Sequence, residues 1–235
     1  MTSDGERAPG RARQQLRGPR VIREEVPVET TLDKANTFFE QPLTLRSRVV
    51  ILLAVAALIP GFLFPMWTMT FYSNQYTDGL TLTIYSYQLA GGKTQNRDDL
   101  REINSLNHYI GMRPLLESEF TEFSWIPFAI GGLMLLSLRA MVVGKMASLV
   151  DVFVLFSYFG LFSLWSFYHR LYTYGHNLDP EAAIKVKPFT PPLFGTETIA
   201  NFEVNSYPDT AAYAFLIFAL LLMAAIFLSR KPAAA

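Results

Sequence analysis

The sequence contains no cysteine among its 235 residues. This absence excludes disulfide bonds, thiolate nucleophiles, cysteine-ligated zinc, iron–sulfur clusters and covalent c-type haem attachment. Charge is also scarce, since charged residues make up 17% of the chain and the 20 basic residues equal the 20 acidic ones. A chain without a basic excess is a poor candidate for nucleic-acid binding, which requires a positively charged patch or stripe.

Motifs of nucleotide and hydrolytic chemistry are missing as well. The sequence has no G-x-x-x-x-G-K-[ST] loop, no G-x-G-x-x-G turn after a strand, no G-x-S-x-G elbow and no H-E-x-x-H helix. Its three histidines, His108, His169 and His176, lie outside the long apolar runs, which disfavours a haem held by two histidines between membrane helices. We therefore expect no nucleotide, no nucleic acid and no enzymatic activity.

Apolar residues, in contrast, make up 51% of the chain and are concentrated in four runs. A helix needs about 20 consecutive apolar residues to cross a bilayer. The runs predict transmembrane helices at 49–69, 125–143, 146–167 and 211–228. The expected fold is therefore an all-α membrane protein of four transmembrane helices, with Gly144 and Lys145 forming a tight hairpin between the second and the third.

Basic residues near the ends of the runs predict the orientation. One side of the topology holds Arg46, Arg48, Arg139, Lys145, Arg230 and Lys231. We expect this side to be the cytoplasmic side of the membrane, with both termini inside. Residues 1–48 then form a disordered cytoplasmic tail and 229–235 a short second one, whereas 70–124 and 168–210 form extracytoplasmic loops.

The first outer loop has readable structure. From Gly79 to Leu89 apolar residues alternate with polar ones, a pattern typical of a half-buried strand. After the turn at Gly91 and Gly92, Asn96 or Asp98 can cap a helix that Gly111 ends. We expect a small extracytoplasmic subdomain of one short strand and one helix, lying on the membrane.

The end of this helix carries residues that suit a metal. His108 and Met112 are four residues apart, which places both side chains on one helical face. Histidine and methionine together, without cysteine, are ligands that suit copper. His176, in the second outer loop, lies on the same predicted side of the membrane. The alternative is that His108 and its neighbours Asn104 and Asn107 only cap backbone groups in the loop.

Two charges fall inside the predicted membrane helices. Arg139 lies about one turn from the end of the second helix, from which its long side chain can reach the interface. Asp151 lies near the start of the third helix, across the hairpin. An intramembrane acid is a candidate for a functional group. We favour a structural ion pair between Arg139 and Asp151, because the first and fourth runs offer no charges that would extend a proton path.

Two strings in the outer loops carry a resemblance to a known family. They are INSLNHYIGM, from Ile103 to Met112, and YGHNLDPEAAIKV, from Tyr174 to Val186, which continues into PPLFG at 191–195. With FPMW at 64–67, they resemble a family of small polytopic membrane proteins encoded among the accessory genes for nitrous oxide reductase. The resemblance covers about residues 50–228. The chain has Lys187, Pro188 and Phe189 where the family pattern has a Pro-Gly-Met type of stretch.

The resemblance implies a role at the outer face of a bacterial inner membrane, in assembling or supplying copper centres. A copper-chaperone lipoprotein or a periplasmic copper enzyme would then be the partner, beside membrane lipid. The residues that match the family strings are Asn104, Asn107, His108, Met112, His176, Asn177 and Asp179. On this hypothesis His108, Met112 and His176 bind Cu(I) transiently, and the asparagines and Asp179 support them.

Two further hypotheses stay open beside the copper accessory protein. The chain could be a structural or docking subunit of a membrane electron-transfer or secretion complex, with the outer loops as the docking surfaces. It could also be a small transporter, which would require Asp151 or Arg139 to line a path. We rank these second and third, after a non-enzymatic protein that acts in copper delivery or in the maturation of a periplasmic copper enzyme.

Overall fold

The computed structural model describes residues 31–199 and 201–230. Within this part of the chain the helices are α1 Thr31–Glu40, α2 Leu45–Ala57, α3 Pro60–Leu63, α4 Asp99–Tyr109, α5 Glu122–Val143, α6 Met146–His176 and α7 Thr210–Ser229. The strands are β1 Trp67–Ser73, β2 Tyr76–Ile84, β3 Leu89–Gly91, β4 Lys93–Thr94, β5 Arg97–Asp98, β6 Gly195–Ile199 and β7 Phe202–Pro208.

Four helical segments are long and apolar enough to cross a membrane. They are Leu45–Leu63, Glu122–Val143, Met146–His176 and Thr210–Ser229. Their number and composition fit a multi-pass membrane protein. The segments pack around a common core, in which Ile51, Leu58, Ile130, Leu149 and Phe218 are fully buried.

The first apolar run, 49–69, is divided between two kinds of structure. α2 ends at Ala57, the one-turn helix α3 follows with Pro60 in its first turn, and Phe64 is already extended. A proline inside a helix lacks the N–H for the helical hydrogen bond and clashes with the preceding turn. Pro60 therefore separates α2 from α3, in whose first turn a proline is tolerated, and Pro65 follows the end of the helical part at Leu63. The residues from Trp67 onward form strand β1.

The expectation of an all-α fold is wrong. The two long stretches between the candidate membrane helices together form a five-stranded antiparallel sheet in the order β3-β2-β1-β7-β6, and β4 pairs with β5 in a smaller sheet. The central pair joins β1 of the first loop to β7 of the second, with Met69 opposite Ser206 and Phe71 opposite Val204. The predicted subdomain of one strand and one helix is thus a composite of both loops.

Alternation along the strands explains the sheet. Side chains on a strand point alternately to its two faces. Met69, Leu80, Leu82 and Val204 are buried together on one face, where they meet Ile103 of α4. The alternation of Met69 and Phe71 with threonines was not recognised as a strand, because Met69 is the last residue of the first apolar run and was assigned to a membrane helix.

Helix α4 lies where the capping pattern predicts a helix. The Asp98 side chain accepts a hydrogen bond from the backbone N–H of Arg101, and Gly111 follows the helix with a φ of 77°. α5 and α6 are joined by the expected tight turn, at Gly144, whose φ of 69° favours glycine. The helix start at Asp98 and the turn at Gly144 were predictable from the sequence, because each depends on residues within one or two helical turns of one another.

The tails differ in part from the expectation. Of the tail predicted to be disordered, residues 1–30 lie outside the described residues, as do 231–235 of the C-terminal one. Thr31–Glu40 is helical, and its Phe38 packs against the core of the membrane helices. An apolar side chain that finds a partner accounts for this order in an otherwise polar segment.

Asp209 connects the sheet to the last membrane helix. Its carboxylate accepts hydrogen bonds from Thr68 Oγ1 of β1 at 2.6 Å and from the Thr210 backbone N–H at the start of α7. Burial by itself raises the pKa of Asp209, but these hydrogen bonds outweigh burial and hold its pKa below the ordinary value. The ionised form therefore stabilises the folded protein.

We expect Asp209→Ala to lower the free energy of unfolding at neutral pH by about 1–2 kcal/mol, the usual cost of losing a helix cap. Because the folded pKa of Asp209 is lowered, the stabilisation is present above the ordinary aspartate pKa of about 4 and is lost as the pH falls through the folded value. Melting curves of wild type and variant should therefore converge in acid. Asp78→Ala is the control, since Asp78 is an exposed strand residue. A gap that persists undiminished at acid pH would contradict the assignment.

Candidate functional site

The predicted copper ligands occupy different surroundings. His108 is exposed in the last turn of α4, with its ring 6.3 Å from that of Tyr109. Met112, by contrast, lines an apolar cavity. His176 ends α6, where its Nδ1 lies 3.0 Å from the carbonyl oxygen of Tyr172 and its ring stacks on the Tyr172 ring. The structure therefore does not bring His108, Met112 and His176 to one pocket.

Three of the predicted supporting residues have other surroundings. The Asn104 side chain accepts a hydrogen bond from the Leu115 backbone N–H at 2.7 Å and donates to the Leu115 carbonyl, which fixes the chain after α4. The Asp179 carboxylate accepts from the backbone N–H of Glu181, as in a turn. Asn177 follows α6 and is exposed. For Asn104, the structure favours the alternative in which polar residues of this helix bond to loop backbone.

The two strings that carry the family resemblance lie side by side. The Asp179 N–H donates to the Gly111 carbonyl at 2.8 Å, and the Ile184 N–H donates to the Tyr109 carbonyl at 2.9 Å. Gly111 permits this approach because a Cβ there would lie 2.8 Å from the Asp179 nitrogen. The strings thus form one structural unit, in which the second outer loop closes over the end of α4.

No group of three or more histidine, aspartate or glutamate residues that could hold a metal occurs in the part of the chain that the structure describes. The ion pairs in this part are Lys93 with Asp98, Arg97 with Asp99, and Arg170 with Glu122. The predicted pair of Arg139 and Asp151 is not among them. Both residues are exposed, so the surroundings of the helices can solvate each charge separately.

A cavity of about 550 Å³ lies between the sheet and the membrane helices. Its walls come from the buried face of the sheet, from α4, from the start of α5 and from a long stretch of α6. Six of the aromatic residues in the lining are Trp67, Phe120, Phe123, Trp125, Phe159 and Phe167. The volume falls within the range of small-molecule pockets, which are mostly apolar and lined by aromatic side chains.

The length of α6 produces one wall of this cavity. The helix has 31 residues, so it is about 46 Å long at 1.5 Å per residue. The hydrocarbon core of a bilayer is about 30 Å thick. The last turns of α6 therefore reach beyond the membrane core, where Leu171 packs into the core beneath the sheet. The sequence analysis ended this helix at 167 because its last turns are polar.

A charged group forms one part of the lining. Arg170 donates from Nε to one Glu122 oxygen at 3.1 Å and from Nη2 to the other at 3.0 Å, and the Ser166 hydroxyl also donates to Glu122 at 2.8 Å. The guanidinium carbon lies 5.3 Å from the centre of the Phe120 ring. All four residues line the cavity. The two charges therefore neutralise each other inside the lining.

Two other polar side chains of the lining make no hydrogen bond to any described residue. The Ser163 hydroxyl of α6 is buried without a partner. Asn107 of α4 is only 9% exposed, and its backbone carbonyl, but not its side chain, is hydrogen-bonded. A buried hydroxyl without a partner costs free energy unless something else satisfies it, and the Ser163 hydroxyl is such a group. The Asn107 amide would carry the same cost where an occupant of the cavity covered it without bonding to it. These two groups are available to a bound molecule.

Gly160 marks open space within the cavity wall. It belongs to α6 and lines the cavity, and a Cβ built at this position meets no atom within 4 Å. Leu164, one turn further along the same wall, is 47% exposed. The cavity therefore has room beside Gly160 and opens to the surroundings next to Leu164.

Asn107 and Met112, which were predicted to support or bind copper, both line this cavity. Glu122, Ser163 and Arg170 were not predicted as site residues. A signal for the last two exists, because Ser163, Ser166, Arg170 and Tyr174 recur at intervals of three and four residues and so share one face of α6. A polar stripe on an otherwise apolar helix is typical of a face that meets other protein groups and not lipid.

Comparisons with models of protein families, with curated proteins and with solved structures find no match for this chain. The resemblance to the accessory proteins of nitrous oxide reductase stays a prediction, and so does a role in copper delivery. The content of copper in protein loaded with Cu(I) and desalted, for wild type and His108→Ala, tests that prediction. The feature of the structure that could bind a molecule is the apolar cavity.

Proposed function

We propose that the protein binds a small apolar or amphiphilic molecule in the cavity between its sheet and its membrane helices. The observation that carries this proposal is the cavity of about 550 Å³, whose lining is apolar except for a few polar groups. Apolar and aromatic side chains gain van der Waals contacts with an apolar molecule that fits between them. A bound apolar molecule would make such contacts with the walls of this cavity.

The position of the cavity indicates where the molecule comes from. Its wall continues from sheet residues such as Leu82 down to Phe156 and Phe215, which also pack within the core of the membrane helices. The exposed Leu164 lies where the wall meets the surroundings of α6. A molecule dissolved in the membrane can therefore enter sideways without crossing water, which suits a lipid-like compound.

The basic residues at the other end of the helices orient the proposed site. Arg48 contacts the turn at Gly144, at the end opposite the sheet. Since basic loops stay on the cytoplasmic side, the sheet and the cavity would face outward. We therefore propose a binding protein that takes up a membrane-soluble molecule at the outer surface of a bacterial inner membrane. This location suits either a docking subunit or an accessory protein.

A blocking variant tests the binding site. Trp67 and Trp125 line the cavity, whereas Trp165 is 59% exposed and does not. In a Trp165→Phe background in nanodiscs, 1-bromododecane should quench the two cavity tryptophans saturably, because bromine quenches at short range. Gly160→Phe should reduce this quenching at least fivefold by filling the open space. Gly131→Phe is the matched control, since Gly131 of α5 also has nothing within 4 Å and does not line the cavity.

Two outcomes would overturn the proposal. One is quenching that does not saturate in wild type, as for a quencher that only dissolves in the bilayer. The other is equal quenching in Gly160→Phe and Gly131→Phe. Native mass spectrometry of the purified wild type should in addition show a bound molecule that Gly160→Phe lacks and Gly131→Phe retains.

A further inference from the structure

The charges of the cavity lining limit what its occupant can be. Arg170 is bound through Nε and Nη2 to both carboxylate oxygens of Glu122, and Ser166 adds a third hydrogen bond to that carboxylate. The pair is neutral as a whole, and its two side chains are only 30% and 16% exposed. A charged head group would add a net charge to an apolar cavity or would have to displace one member of the pair. Both are costly in a medium of low dielectric constant.

The polar groups without partners, in contrast, disfavour an occupant that has no polar atom. The Ser163 hydroxyl is buried and makes no hydrogen bond, and the Asn107 amide belongs to a residue that is 9% exposed. Ser163 comes from α6 and Asn107 from α4, and both line the cavity. A pure hydrocarbon would leave both groups unsatisfied. A molecule with an oxygen atom can accept hydrogen bonds from them.

We infer that the cavity takes an uncharged amphiphile that carries a carbonyl or hydroxyl oxygen, and that Asn107 and Ser163 bind this oxygen. This inference rests on the proposed function and adds the chemical class of the ligand. The polar end lies between α4 and α6, and the apolar part contacts the aromatic residues of the lining. Two membrane compounds share this chemistry, a quinone with an alkyl or isoprenoid tail and a neutral glycerolipid.

A series of quenchers with one chain length tests the inference. In the Trp165→Phe background, 12-bromo-1-dodecanol should bind at least threefold more tightly than 1-bromododecane, as expected for one or two neutral hydrogen bonds. 12-Bromododecyl phosphate should bind more weakly than the alcohol. Decylubiquinone and dioctanoylglycerol, added as competitors of the alcohol, distinguish a quinone from a glycerolipid as the better ligand.

Two variants connect this preference to the named residues. Ser163→Ala and Asn107→Leu should each lower the preference for the alcohol over the alkane to below twofold. Ser163→Ala should leave the melting temperature of the empty protein unchanged or higher, because the hydroxyl it removes has no partner in the protein. The controls are Ser157→Ala on the same helix, whose hydroxyl bonds the Phe153 carbonyl, and Asn177→Leu, at an exposed position.

The possible failures are distinguishable. If none of the quenchers acts saturably and in a manner sensitive to Gly160→Phe, the proposed function fails. If the alkane and the alcohol bind equally, or if the preference survives in both Ser163→Ala and Asn107→Leu, the binding site stands and the inference about its ligand is overturned. Tighter binding of the phosphate than of the alcohol would also overturn the inference.

Discussion

Replacing Arg170 with leucine is expected to destabilise the protein by about 2–4 kcal/mol. Removing one partner of a buried ion pair costs about 3–5 kcal/mol, because the other charge is left without compensation. We expect a somewhat smaller value here because the Arg170 side chain is 30% exposed. Glu122 would keep the hydrogen bonds from the hydroxyls of Ser166 and Thr121 but no cationic partner, and it would lie at an apolar wall. The midpoint of unfolding in sodium dodecyl sulfate, followed by circular dichroism, measures the effect.

Two controls separate this effect from that of any lost charge. Lys93→Ala removes a partner of the exposed pair with Asp98, whose side chains are 76% and 43% exposed, and should cost less than about 1 kcal/mol. The double variant Arg170→Leu with Glu122→Leu should be more stable than Arg170→Leu alone, because no uncompensated charge remains. If Arg170→Leu cost no more than Lys93→Ala, the pair would have no structural role in the cavity wall.

The pair of Arg170 and Glu122 also shows which contacts could not be predicted from the sequence alone. Apolar runs predict membrane helices well, because a spanning helix is defined by composition over a local stretch. The partner of Arg170, however, lies 48 positions away at the start of α5. Each of the two charges by itself reads as an ordinary interfacial residue. Only the antiparallel packing of α5 against α6 brings them together.

The sheet shows a second limit of the same kind. β1 pairs with β7, and Thr68 reaches Asp209, which is 141 positions later. Short strands of this type lack a local signal as strong as that of an amphipathic helix, and their pairing depends on residues distant in sequence. The half-buried strand predicted from Gly79 to Leu89 is confirmed only as far as Ile84, where the alternation is regular. The chain then turns, and Leu89 begins the separate strand β3. The cavity was not predictable, because its lining is drawn from nearly every element on both sides.

Asn107 and His108 illustrate how residues adjacent in sequence can lie in different surroundings. The position of Asn107 beside His108 suggested support for a metal ligand. In the structure His108 is exposed, whereas Asn107, one position earlier, belongs to the buried face of α4. Adjacent positions on a helix are about 100° apart, so neighbours in sequence need not share a face. The separation of His108 from Asn107 places the first at the surface and the second at the cavity.

The second large effect is expected at Gly175, near the end of α6. A Cβ at this position would collide with the backbone carbonyl of Phe189, which belongs to the extended segment that closes the cavity. The Phe189 N–H also donates to the Gly175 carbonyl at 3.1 Å, so the two backbones are in direct contact. We expect Gly175→Ala to destabilise the protein by about 1–3 kcal/mol, as overpacking does. The extended segment should also move away from α6.

The expected effect of Gly175→Ala on stability has the opposite sign to the usual effect of this substitution. Gly-to-Ala substitution within a helix ordinarily stabilises it by up to about 1 kcal/mol. Gly160→Ala, in the same helix and with open space around its Cβ, should show this ordinary gain. Gly175→Ala should show the opposite sign and faster proteolysis between residues 184 and 191. If both substitutions stabilised the protein equally, Phe189 would not lie against α6, and the wall that this segment adds to the cavity would be absent.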